Sequence, residues 1–194
     1  MKTAVFATFL LLGVFSNIAQ AALINFDGNI EFHNDIVRID FTLNQDVNNI
    51  RVWTDSFQDG VNFDPITALW AADGALIRED DDNSGINPST QTVYDSGFAL
   101  SFLAAGDYIF TVATYDNFAQ GSMLSDGFLF DSQNPIELAV WSQPANSVNM
   151  GSYWRVWLDG VDVAVNPNEP SPVPAPSSIL LFALALAVLR FKKF

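Results

Sequence analysis

Four apolar residues at every second position, Val37, Ile39, Phe41 and Leu43, constrain this chain more than any other feature. Residues two apart share one face of a strand, so residues 36–43 predict a β-strand with one face buried. The same kind of segment recurs along the body. Residues 50–54 are rich in β-formers. Residues 66–70 and 75–77 flank Ala72-Asp73-Gly74, a hairpin turn signal. Residues 91–94 add a further candidate strand, and residues 98–103 and 107–114 are joined by Ala104-Ala105-Gly106. Residues 136–141, 153–158 and 161–165 complete the set, with Asp159-Gly160 as a turn before the last. The stretches 56–65 and 117–126 read as loops. No amphipathic helical pattern of ten or more residues occurs in the body. Eight to ten short strands separated by Gly, Asn and Asp turns predict an all-β fold, an antiparallel β-sandwich, with a jelly roll as the preferred form. The 17 phenylalanines and five tryptophans suit such a core.

The two ends follow other rules. Lys2, then an apolar run over residues 4–15, then Ala19-Gln20-Ala21 has the charged, apolar and small-residue parts of a cleavable signal peptide. Cleavage between Ala21 and Ala22 is expected. The apolar run is short for a permanent membrane helix, which needs about 20 residues. At the other end, prolines at 170, 172, 174 and 176 make an extended approach. Ser177-Ser178 precedes an uncharged apolar run over residues 179–189, and Arg190, Lys192 and Lys193 close the chain. Basic residues beside an apolar helix stay on the cytoplasmic side and stop transfer. The organisation read from these parts is a signal helix at 1–21 and a sandwich domain at 22–166. A Pro-rich linker and sorting motif follow at 167–178, with a short transmembrane helix and basic tail at 179–194.

Val173-Pro174-Ala175-Pro176, an apolar helix and a basic cluster in that order resemble the PEP-CTERM sorting signal. The family motif has Glu where Ala175 stands. The resemblance covers about the last 22 residues and implies processing by signal peptidase and by the membrane protease exosortase. It also implies export from a Gram-negative bacterium that makes exopolysaccharide, with the membrane as a transient station.

Charge narrows the function classes. Residues 22–170 hold all 22 acids against four arginines, Arg38, Arg51, Arg78 and Arg155, a formal charge of −18. Such a surface repels nucleic acid and attracts cations. The chain has no cysteine, which excludes thiol chemistry and leaves packing, or packing plus bound cations, to hold an exported domain.

A second resemblance lies in the body. Residues 63–70, Asp73 to Ile77, Asp80-Asp81-Asp82 and residues 98–112 are similar to the centre of bacterial pre-peptidase C-terminal domains. The match runs over roughly residues 30–130. Residues 115–119 and 124–128 resemble a narrower subfamily found on PEP-CTERM proteins. The resemblance implies an accessory β-sandwich without catalytic activity, some of whose collagenase-associated relatives bind calcium.

Three constellations are candidates for chemistry. Asp80, Asp82 and Ser84 stand at alternate positions before Gly85, which is the first half of a calcium loop. The second half is missing, because Gln91 stands where a bidentate Glu belongs. A calcium site would need Asp64, or another carboxylate from a neighbouring loop, to complete its shell. The other reading of this segment is a solvated acidic turn. His33, the single histidine, reads as an exposed loop residue, and no nucleophile elbow accompanies it. Trp53, Trp70, Trp141, Trp154 and Trp157 read mainly as core. Trp154 and Trp157 have odd spacing and should face opposite ways, so one of them could meet a sugar ring.

The function expected from these observations is that of an exported, non-catalytic surface or matrix protein associated with exopolysaccharide. A secreted polysaccharide-modifying enzyme and a purely structural matrix protein are the alternatives.

Overall fold

The computed structural model describes residues 22–144 and 150–167. The expected signal peptide with Ala19 and Ala21, the motif Val173, Pro174, Ala175 and Pro176, the apolar segment and the stop residues Arg190, Lys192 and Lys193 lie outside the described residues. Among the described residues no helix is long and apolar enough to cross a membrane.

The described chain is built from antiparallel strands with two short 3-10 turns, at Gln58–Gly60 and Leu124–Asp126. The strands are β1 (Ala22–Asn29), β2 (Val37–Leu43), β3 (Ile50–Thr54), β4 (Pro65–Ala71) and β5 (Leu76–Asp80). They continue with β6 (Gly97–Leu100), β7 (Gly106–Thr114), β8 (Tyr153–Val161) and β9 (Val163–Ala164). One sheet has the order β1-β8-β3-β6 and the other β5-β4-β7-β2-β9.

The alternation in the sequence decides which side chains meet between the sheets. Val37, Ile39, Phe41 and Leu43 of β2 are buried while Arg38 and Asp40 are exposed. Trp154, Val156 and Leu158 of β8 are buried from the opposite sheet. These residues share one core with Val52, Phe98 and Phe110. The Phe98 and Phe110 rings, one from each sheet, meet edge to face at 6.0 Å. The arrangement is consistent with a β-sandwich. Each large side chain of this kind contributes about 1.5–3 kcal/mol by leaving water.

Strand β4 departs from simple alternation, since it is buried from Pro65 to Trp70 on both faces. The second face is covered by a smaller core of Ala68, Trp70, Ile109 and Phe128, under the segment that follows β7. The Trp70 indole N–H is satisfied there by Thr111 Oγ1 at 3.0 Å.

Three local expectations are corrected, and one strand is added. Residues 91–94 form a turn rather than a strand, because the Asp95 carboxylate captures the backbone N–H of Thr92 at 2.7 Å. Residues 136–141 are also a turn segment, whose one ladder-type pairing is the bridge between Phe32 and Glu137. β8 runs through Asp159-Gly160 without turning. Gly160 takes φ 92° there, and the register against β1 slips between Ala22 and Ile24, so the glycine makes a bulge. Strand β1 was not anticipated, although Ile24 and Phe26 pack against the core in alternation with exposed Asn25 and Asp27.

Candidate functional site

Antiparallel pairing brings three chain ends to one rim of the five-stranded sheet. β4 begins there, and β5 and β7, which flank it, end there. Asp64 immediately precedes β4. Asp81 and Asp82 immediately follow β5, and Asp116 follows β7 by two residues.

The backbone of Asp64 is held on both sides. Its N–H donates to Gln143 Oε1 at 3.1 Å, and its carbonyl accepts the Tyr115 N–H at 2.9 Å. Its side chain therefore has little freedom, and it points inward, with the residue 2 % exposed. Asn83 holds the next loop. Its N–H donates to the Asp95 carbonyl at 2.8 Å and its Nδ2 to the Gly97 carbonyl at 3.0 Å. The result is that one carboxylate oxygen each from Asp64, Asp81 and Asp82 lie within 4.8 Å of one another. Asp64 is buried, Asp81 half-buried and Asp82 exposed.

No cation or hydrogen-bond donor among the described residues satisfies the inner oxygens of this group. Asp64 Oδ1 and Asp81 Oδ1 are both buried and have no hydrogen-bond partner among the described residues. Burial, reinforced by the charges of Asp81, Asp82 and Asp95, pushes the Asp64 carboxyl up to about 8. Burial and then Asp82, Asp80, Asp116 and Glu79 push Asp81 up to about 6. Burial and Asp80 raise Asp82 as well. Three carboxylates in this state can share protons or hold a cation. They are poorly placed for acid–base work on a substrate, since the one with the most altered proton affinity is the one sealed from solvent.

The sequence-predicted ligands divide accordingly. Asp64 and Asp82 are brought together. Asp80 is turned away, accepting from Arg78 Nη2 at 3.2 Å and from Asn83 Nδ2 at 3.4 Å. Ser84 is half-buried in the following turn. Asp81, which the alternate-residue pattern passed over, takes the inner place.

His33 is not exposed. It is fully buried, with its ring 5.3 Å from those of Phe130 and Trp141. Nδ1 accepts the Ile136 N–H at 3.1 Å, which leaves Nε2 to donate to Gln133 Oε1 at 3.1 Å. Both nitrogens are thus engaged in tying the 31–35 turn to the 130–141 segment, and neither is available as a catalytic base. No local pattern around His33 signals this burial, because the covering segment is remote along the chain.

The outer face of the four-stranded sheet carries the other feature. Trp154 is 1 % exposed in the core, and Trp157 is half-buried on the opposite face, as their spacing predicts. Trp157 stacks on its cross-strand partner Trp53, with centroids 6.1 Å apart and planes 12° from parallel. The next residue along that row is Gly97, where a Cβ would stand 2.4 Å from the Val52 carbonyl oxygen and 2.7 Å from Trp53 Cβ. The glycine lets the Trp53 ring lie flat and buried. Arg51 and Arg155 sit over the two rings at 5.3 and 5.6 Å and pair with Asp159 and Asp55.

No family model matches the sequence, and no curated protein matches it.

Proposed function

We propose that this is an exported, non-catalytic domain of the cell surface or extracellular matrix that associates with exopolysaccharide. Residues 1–21 would export it, and the PEP-CTERM-like signal at 173–193, cut by exosortase, would sort it. The single observation that carries the binding reading is the half-buried Trp157 on an outer sheet face. It is rigidly stacked on Trp53 and stands beside exposed Asn25 in the same cross-strand row. Arg155 covers part of this ring at 5.6 Å, so a sugar would stack on the part left exposed while Arg155 and Asn25 hydrogen-bond its hydroxyls.

The strand orders support a jelly roll as the finer form of the fold. Order 1-8-3-6 facing 5-4-7-2, with β9 added beside β2, is that of two interleaved Greek keys. Jelly rolls include lectin domains, which is an analogy of fold rather than of site. The formal charge of −18 favours a neutral glycan, or an acidic one bridged by cations. The engaged state of both His33 nitrogens supports the non-catalytic reading over a polysaccharide-modifying enzyme.

The test is retention of the full chain on the host's own exopolysaccharide, with and without calcium. Retention that is lost in Trp157→Ala is expected. No retention of the unaltered chain in either condition removes the reading.

A further inference from the structure

The geometry points to a calcium site made by Asp64, Asp81 and Asp82, which staples together the loops at the start of β4 and the end of β5. This inference does not depend on the glycan reading. Clustered acids alone are weak evidence, since they are common on surfaces without an ion. The independent observation is that Asp64 is 2 % exposed, that its Oδ1 is buried with no partner among the described residues, and that its carboxylate reaches into the cluster. A buried, unpaired carboxylate is costly, and native structures retain one where a ligand compensates for it.

The chain has other means of satisfying a buried acid at this rim and uses them next door. Asp95 is also fully buried, yet it accepts four hydrogen bonds, from Thr54 Oγ1, the Phe57 N–H, and the Thr92 N–H and Oγ1. Among the described residues no such donors are turned toward Asp64 Oδ1 or Asp81 Oδ1. The backbone contacts that fix Asp64 engage its N–H and carbonyl and leave the carboxylate free to coordinate.

The ligand class follows from the donors. All three are hard carboxylate oxygens, with no imidazole or thiolate, which excludes soft metals and suits calcium or magnesium. Two of the three come from adjacent residues of one loop, and the exposed Asp82 leaves an open side for water. Calcium accepts six to eight oxygens in irregular geometry, whereas magnesium requires a near-ideal octahedron at about 2.0–2.1 Å. Asp116 is close enough to raise the proton affinity of Asp81 but lies outside the three-oxygen group, so it would act on the ion through water.

The experiment is calorimetric titration of the purified, chelator-stripped full chain with calcium and with magnesium. One calcium per chain is expected, with a dissociation constant at or below about 1 mM, the range of extracellular calcium modules, and magnesium at least about tenfold weaker. Asp64→Asn and Asp81→Asn should each weaken calcium by about tenfold or more, with circular dichroism unchanged, since both are isosteric. Asp80→Asn should stay within about twofold of the unaltered chain, because that carboxylate is engaged with Arg78 and Asn83. Absence of saturable binding, binding that survives both Asp64→Asn and Asp81→Asn, or tighter magnesium than calcium would each overturn the assignment.

Discussion

Asp95 and Asp64 are neighbours with opposite environments. Both are at most 2 % exposed, and each feels the rim where β4 begins. Asp95 has both oxygens saturated by backbone and hydroxyl donors that close the 92–96 turn and tie it to β3. Asp64 has one oxygen with no partner among the described residues and two further carboxylates within reach. Burial of an acid is therefore not the informative quantity. A saturated buried carboxylate is a brace, because its hydrogen bonds are made by the protein alone. An unsaturated one in a like-charged cluster is a defect unless something from outside completes it.

The largest expected effect is on the brace. Asp95→Ala removes the acceptor for four hydrogen bonds, leaves the buried Phe57 N–H and the half-buried Thr92 N–H and Oγ1 without it, and leaves Thr54 Oγ1 only its 3.4 Å contact to the Ser96 carbonyl. Loss of about 4 kcal/mol or more is expected from denaturant unfolding, equally with calcium and with chelator. A cost that calcium could erase would make Asp95 part of the ion site and dissolve the contrast.

A smaller effect of opposite sign is expected at Asp64. In chelator, the folded carboxyls of Asp64, about 8, and Asp81, about 6, lie above the ordinary value of 3.8 that they regain on unfolding. The folded chain then holds more protons than the unfolded one, so its stability falls as pH rises from about 4 to 8. Melting of the chelated protein should be several degrees higher at pH 5 than at pH 8. In Asp64→Asn that slope should shrink. The usual acidic-residue trend, stability rising over this range, would show that the cluster is satisfied without an ion.

The fold was legible where a strand has one wet face. β2 and β8 announce themselves through alternation, and β3, β4 and β7 through β-branched and aromatic content. The 136–141 segment misled because its apolar residues pack in a turn over His33, where Leu138 and Trp141 are buried without forming a ladder. The same remote packing hid the burial of His33 itself. At the candidate site, Asp64 and Asp82 could be chosen from loop chemistry, but Asp81 could not. The alternate-residue rule assumes a calcium loop whose odd positions face inward. Here β5 ends at Asp80, and the chain turns so that two consecutive carboxylates reach one place. The Ala72-Asp73-Gly74 turn announces the β4–β5 hairpin that sets Asp64 beside Asp81 and Asp82, whereas the pairing of β4 with β7, which adds Asp116, is a long-range fact that no local pattern encodes.

The central claim is that an ion completes the Asp64 cluster, and thermal melting near pH 7.5 in excess calcium and in chelator tests it most directly. At about 100 times the dissociation constant, a ligand that binds only the folded chain adds about 2.7 kcal/mol. For a domain of this size that corresponds to a rise of roughly 5–10 °C. The account predicts that rise for the unaltered chain and at most about half of it for Asp64→Asn, whose weaker site is less saturated at the same calcium. An unchanged melting temperature for the unaltered chain, or an equal rise in Asp64→Asn, would contradict it.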